Sequence, residues 1–305
     1  MQGEYAQSCA TAEAGLAAAA ESHSLVMYLS SLSSKSLALI HMGAWGELQR
    51  VLEHGIDLAR KNGNEPWAGI FQVMLAWLHM LACDFSGARA LGEALLAKHT
   101  EVPMGQTQSI AWITVAYSDL ATGDPQRALE AFTRVRDRPL KPKVFMQQYW
   151  RMIAEFGIVR SHLELGNLDA AETGAEIFAE EMAALADPAM RSRAWSTLAL
   201  VAAAKRNLPR ALQCADRAVE EMRGFDLPWV AWRVHGTASW LYALAAQPQA
   251  AASHGHKAEA ALLHLVNSFD PGDPLRETLR QGMENLKARF WGKLGRSPVA
   301  GDAGQ

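Results

Sequence analysis

AWITVAYSDLATGDPQRALEAFTRV, residues 111–135, reads as two helices around a tight turn. Trp112, Val115 and Ala116 fall on one helical face, Gly123-Asp124-Pro125 interrupts it, and Ala128, Phe132 and Val135 resume an apolar stripe at i, i+4, i+7. The same turn returns as CDFSGA at 83–88, GNLDAA at 166–171, RNLPRA at 206–211 and AQPQAA at 246–251, with a degenerate copy, GAWGEL, at 43–48. The residues that close these turns, Leu48, Ala88, Ala128, Ala171, Ala211 and Ala251, are 40, 40, 43, 40 and 40 positions apart. A period this regular marks a repeat architecture in which each unit buries its apolar face against its neighbours. The five alanines are expected to be structural, because a small side chain is needed where two helices cross closely.

The totals fit one elongated array as well as two or three conventional domains, and the period favours the array. Half of the 305 residues are hydrophobic, enough for a continuous core between stacked helices. Lys and Arg number 29 against 32 Asp and Glu, so there is no general basic field, and nucleic acid is not expected as a direct partner. Cys9, Cys83 and Cys214 form no CxxC pair, which suits free thiols in a reducing compartment. The N-terminus lacks the basic lead of a secretory signal, and the most apolar window, Ile70–Cys83, contains Gln72 and His79 and is too short for a bilayer. The expectation is a soluble, cytoplasmic protein with no membrane partner.

Along the chain, residues 1–36 are expected to be a leading helical segment, interrupted by the five serines of Ser30–Ser36. The first repeat then runs from about Leu37 to Asn62, and Gly63-Asn64-Glu65-Pro66 ends it, Gly closing one helix and Pro opening the next. Further pairs follow at 67–82 with 86–99, 106–122 with 125–136, 144–165 with 168–185, 189–205 with 209–223 and 229–245 with 249–267. Arg138-Pro139-Leu140-Lys141-Pro142 forms a break, the 43-residue interval is assigned to a longer first helix in the fourth pair, and Asp187-Pro188 opens the fifth as an N-cap and first-turn proline. Pro274–Leu294 reads as a polar capping helix closing a repeat domain of residues 37–294, and residues 295–305 have the composition of a disordered tail.

The 111–135 unit is similar to the tetratricopeptide pattern at Trp112, Val115-Ala116, Gly123-Asp124, Ala128 and Phe132, and departs from it at Asp119, where a Tyr is usual. The fifth unit keeps Trp195, Leu198-Ala199 and Ala211, and the sixth keeps Tyr242 and Ala251. This resemblance implies an all-α, right-handed superhelical solenoid of about six helix pairs and a cap. Long-helix arrays of this kind resemble the C-terminal regulatory regions of bacterial signalling proteins, namely the ATPase-containing transcription activators and the cyclase or kinase proteins with an ATPase module. DLPWVAWRVHGTASWL at 226–241, followed by a helix and Asp273-Pro274-Leu275-Arg276, looks like the end of such an array. The implied role is a non-catalytic arm that binds a protein or peptide segment in the concave groove, the alternative being a domain that senses a small-molecule effector.

No pattern of residues calls for a cofactor or a metal. Gly292-Lys293 lacks a glycine-rich lead and a following hydroxyl residue, so it is no phosphate loop. His254-Gly255-His256 points its imidazoles apart around a helix, and His41, His54 and His79 lie singly along the chain. Ser239 and the serines of 30–36 lack a nucleophile elbow, and Glu180-Glu181 and Glu220-Glu221 read as solvated acidic faces. No enzyme is expected.

The groove is the better candidate. In tetratricopeptide arrays the first helix of each pair lines the concave face. Carrying one inward column over gives Trp77, Tyr117, Arg160, Leu200 and Trp240, and a second gives Ile70, Ile110, Ile153, Arg193 and Arg233. Aromatics beside guanidinium groups are the composition of binding hot spots, and Arg can hold a carboxylate bidentately. The competing reading is that longer helices shift the register, the aromatics pack between repeats and the arginines pair with local Glu.

Overall fold

The computed structural model describes residues 3–98, 105–139 and 146–295. Among these, all regular structure is helical. Helix α1 (Tyr5–Glu21) precedes six pairs: α2 (Leu25–Met42) with α3 (Trp45–Lys61), α4 (Glu65–Leu81) with α5 (Phe85–Lys98), α6 (Gly105–Thr122) with α7 (Pro125–Arg136), α8 (Gln147–Leu165) with α9 (Leu168–Ala183), α10 (Pro188–Ala204) with α11 (Leu208–Glu220), and α12 (Pro228–Leu244) with α13 (Pro248–Asn267). Helix α14 (Pro274–Gly295) follows. The chain is a helical-repeat solenoid.

One backbone feature repeats in all six pairs. The first residue of each turn, Gly43, Cys83, Gly123, Gly166, Arg206 and Ala246, has φ between 56° and 99°. The next residue's N–H then donates to a carbonyl five residues back, as Asp124 does to Asp119 and Asn207 does to Ala202, both at 2.9 Å. This left-handed closure satisfies carbonyls that a helix end would leave open. Glycine takes the conformation freely, whereas Cys83, Arg206 and Ala246 hold it with a Cβ, at about 1–2 kcal/mol each. The following residue caps the second helix in several copies: Asp124 accepts from the N–H of Arg127 at 3.1 Å, and Asn207 from that of Arg210 at 3.2 Å.

Between helices the fit is close. Ala88, Ala128, Ala171, Ala211 and Ala251 are all buried. At the crossing of α7 and α8 a Cβ on Gly157 would stand 2.4 Å from the ring of Phe132, which is itself fully buried. Burying a side chain of that size contributes about 1.5–3 kcal/mol.

Asp119, the departure from the repeat pattern, is fully buried and held by Arg89 of α5, with Arg127 of α7 at 3.4 Å. It thus ties two outer helices together through charge. Burial pushes its carboxyl above the usual range against the pull of both guanidinium groups.

Three expectations need correction. Residues 30–36 do not interrupt a helix, because α2 runs unbroken from Leu25 to Met42 and so spans the boundary expected at 36/37. The hydroxyl of Ser36 donates to the Leu32 carbonyl at 2.8 Å and that of Ser34 to Ser30 at 3.1 Å, while Leu29, Leu32 and Leu39 anchor the buried face. The 43-residue interval comes mainly from the connection between Arg136 and Gln147, since α8 has 19 residues and α6 has 18. Part of that connection, with Leu140-Lys141-Pro142, lies outside the described residues, as does 296–305.

The third correction concerns shape. The inner helices touch in succession, α2 to α4, α4 to α6, α6 to α8, α8 to α10 and α10 to α12, and α12 then touches α2. The groove is therefore closed on itself and is not an open trough. The phenol of Tyr5 donates to Asp187 at 3.2 Å, the indole N–H of Trp229 donates to His41 Nδ1 at 3.2 Å, and the N–H of Trp45 donates to Ser268 Oγ at 3.1 Å. Gly46 permits this closure, because a Cβ there would lie 2.2 Å from the Ser268 carbonyl oxygen. The capping helix α14 packs against α13 and meets the turn between α4 and α5, where Gly282 abuts Cys83, and it buries Leu275 and Leu279.

Candidate binding pocket

Closure of the inner helices leaves a cavity of about 160 Å³ lined by residues of α4, α6, α8, α10 and α12 together with Phe85 at the start of α5. Of the residues expected in the groove, Trp77, Tyr117, Arg160, Arg193, Arg233 and Leu200 line it, and Trp240 does not. The two inferred columns both contribute, the first from α4, α6, α8 and α10 and the second from α10 and α12. Trp77, Tyr117 and Arg160 come from the later turns of α4, α6 and α8, whereas Arg193 and Arg233 come from the early turns of α10 and α12. The lining sits on the later turns of α4, α6 and α8, in the middle of α10 and on the first half of α12. By α12 the level of the cavity has moved to the helix start, so Trp229, Trp232 and Arg233 reach it and Trp240 is carried past it. Ile110 and Ile153, of the same column as Arg193, are buried core residues.

The choice between groove and core has a divided answer. Trp77 is 4% exposed and meets Tyr117 and Trp150 edge-on at 5.9 and 5.6 Å, so it is both packed between repeats and part of the cavity wall. Tyr117 donates its hydroxyl to the Ile153 carbonyl at 3.2 Å, and burial raises its phenol above the ordinary value, opposed by the charges of Arg193 and Arg160.

Arg193 lies over the ring of Phe156 at 4.2 Å and over that of Trp229 at 5.0 Å, and Arg233 lies over Trp232 at 4.2 Å. These stacks orient the guanidinium groups without neutralising them. Neither arginine is paired with an acid among the described residues, contrary to the expectation of local Glu partners. Arg233 Nη1 donates to the Trp229 carbonyl at 3.2 Å, while Arg193 Nη1 and the Trp232 indole nitrogen are buried without a hydrogen-bond partner among the described residues. Burial pushes Arg233 down to about 10, with the charges of Arg193 and Arg160 acting in the same sense. The lining holds no Asp, Glu or His side chain, so its polar groups are guanidinium, indole and hydroxyl.

Trp229 connects this cavity to the closure of the array. It lines the cavity, lies beneath Arg193, and hydrogen-bonds His41, which stacks on Tyr5 at 4.3 Å. His41 is 1% exposed. Burial, reinforced by the Arg193 charge, drives it down to about 3, so it is neutral and able to accept the indole hydrogen bond. Phe156, Trp229 and Trp232 were not in the inferred columns. The run PWVAWR at 228–233 carried the available signal, two tryptophans and an arginine within two helical turns.

Elsewhere, His235 and His254 approach at 3.0 Å between their Nδ1 atoms, and the described residues contain no group of three or more potential metal ligands. Ser239 donates to the Ala251 carbonyl at 2.8 Å. No described helix is long and apolar enough to cross a membrane.

No known protein family's profile matches the chain, and no curated protein matches it. Among solved structures, the apo form of RapI matches with a TM-score of 0.47 at 12% identity, covering 87% of this chain and 76% of that one. A likeness of that size carries no functional inference.

Proposed function

We propose that this chain is a non-catalytic interaction module that anchors a segment of a partner protein in the cavity inside its ring of inner helices. The observation that carries this reading is the convergence of Arg193, Arg233 and Arg160 with Trp77, Tyr117 and Phe156 on one partly enclosed space. Stacked guanidinium groups and aromatic walls are where binding energy concentrates in protein interfaces, because each is large, pre-oriented and already partly desolvated. Occupancy would be transmitted through Trp229, since a group pressing on this ring acts on the same indole that holds α12 to α2. A change in the curvature of the array is the output, consistent with a regulatory arm of the bacterial signalling type that the repeats resemble.

The test is affinity selection from a soluble random hexapeptide library with free termini, using the wild type and an Arg160→Ala/Arg193→Ala/Arg233→Ala variant. Peptides retained by the wild type and lost by a variant that still melts cooperatively support the reading. Equal retention by both proteins sinks it. The cavity volume favours a second reading, a small-molecule effector, for which a metabolite set would give a saturable thermal shift while the peptide library gave none.

A further inference from the structure

The charged groups of the cavity share one property that narrows the ligand. Its guanidinium groups and the Trp232 indole can only donate hydrogen bonds, whereas the hydroxyls of Tyr117, Ser196, Thr197 and Thr237 also accept, and Arg193 Nη1 and Trp232 Nε1 have no acceptor among the described residues. A buried donor left unmet is costly, so the missing component is an acceptor-rich, negatively charged group. The remaining wall is apolar and aromatic. The volume of about 160 Å³ is close to that of a cavity that takes up one benzene, roughly 150 Å³. Such a space admits one ring or branched side chain, so the charge has to be attached close to that group.

A peptide strand passing through would bring further N–H donors to a site whose charged groups are all donors. A C-terminal residue brings two carboxylate oxygens, no following N–H, and a side chain two bonds from the charge. We propose that the cavity binds an organic carboxylate attached within two bonds to a ring-sized apolar group, and that this is the C-terminal residue of the partner segment. The carboxylate lies against Arg193, Arg233 and the Trp232 indole, and the apolar group against Trp77, Tyr117 and Phe156. This deepens the reading of the cavity as the capture site and rests on it.

The full chain is titrated with N-acetylphenylalanine, its amide, N-acetylalanylphenylalanine, 3-phenylpropionate and inorganic phosphate, followed by calorimetry and tryptophan fluorescence. The acid is expected to bind about tenfold or more tightly than the amide, because charge-assisted hydrogen bonds to guanidinium are lost on amidation. Arg193→Met and Trp232→Phe should each shrink that preference while the thermal transition persists. If Arg193→Met does not fold, Trp232→Phe and Arg233→Lys make the same comparison. The dipeptide acid should exceed N-acetylphenylalanine, and both should exceed 3-phenylpropionate.

Equal binding of acid and amide overturns the carboxylate assignment. Phosphate competing as tightly as the aromatic acid overturns the coupling of ring and charge, and 3-phenylpropionate matching the peptides overturns the chain terminus in favour of a free small acid. Library hexapeptides that bind equally well after C-terminal amidation overturn this inference while leaving the capture reading intact. Absence of binding by any acid or peptide overturns both.

Discussion

His41 should make the stability of this array fall steeply below neutral pH, and the size of the effect follows from its environment. The imidazole is 1% exposed, stacked on Tyr5, edge-on to Tyr149 and Trp229, and hydrogen-bonded through Nδ1 to the Trp229 N–H. A proton on Nδ1 would replace that acceptor with a second donor, in a space already under the positive field of Arg193. The folded protein therefore keeps His41 neutral down to about pH 3. In the unfolded chain it protonates near 6.5. A group whose folded value is depressed contributes its full stability above the unfolded value and loses it as pH falls, because only the unfolded state gains the proton. Each pH unit is worth about 1.4 kcal/mol, so lowering the pH from about 6.5 to 5 removes about 2 kcal/mol through this one residue. Urea unfolding at pH 7.5, 6.5, 5.5 and 5.0 would be compared between wild type and His41→Gln, which retains an acceptor but does not titrate. The variant should be less stable at pH 7.5 yet lose about 2 kcal/mol less on acidification. His235, lowered to about 4, and Asp187, raised by burial, titrate in both proteins and cancel in the comparison. Parallel pH curves for the two proteins would refute the buried, neutral role of His41.

The remaining predictions test other parts of the structure. Arg206→Gly and Ala246→Gly relieve left-handed backbone at exposed positions and should each stabilise by up to about 1 kcal/mol, the strain removed exceeding the added chain entropy, read as a higher melting temperature. Gly157→Ala drives a methyl into the Phe132 ring and should destabilise by about 1–3 kcal/mol in the same assay. Asp119→Asn leaves Arg89 without its acid and Arg127 with Glu93 alone. Because both arginines reach solvent, the loss should be about 1–3 kcal/mol, below the range for a fully buried pair. Burial pushes the Cys83 thiol up to about 11 and Cys9 and Cys214 are also buried, so a thiol reagent at pH 8 should label none of the three until the protein unfolds.

The helix-turn-helix units were legible because their signals are local. Gly123-Asp124-Pro125 writes a left-handed closure and an N-cap into three adjacent residues, and the spacing of Ala128, Phe132 and Val135 selects one helical face. Six of the ten residues in the two inferred columns reach one cavity for a similar reason, since inner helices of a repeat turn similar faces to the axis. The serines of α2 misled because their hydroxyls can turn back onto the helix that propensity alone argues against.

What the sequence by itself determined is therefore the repeat, its period and which helix of each pair faces inward. How far each inner helix slides past the last, and whether the array meets its own beginning, was decided by tertiary structure. These depend on small displacements accumulated over six pairs and on contacts between residues far apart in the chain, such as Tyr5 with Asp187, His41 with Trp229 and Trp45 with Ser268. The same tertiary arrangement leaves Trp240 outside the cavity and brings Trp232 to it.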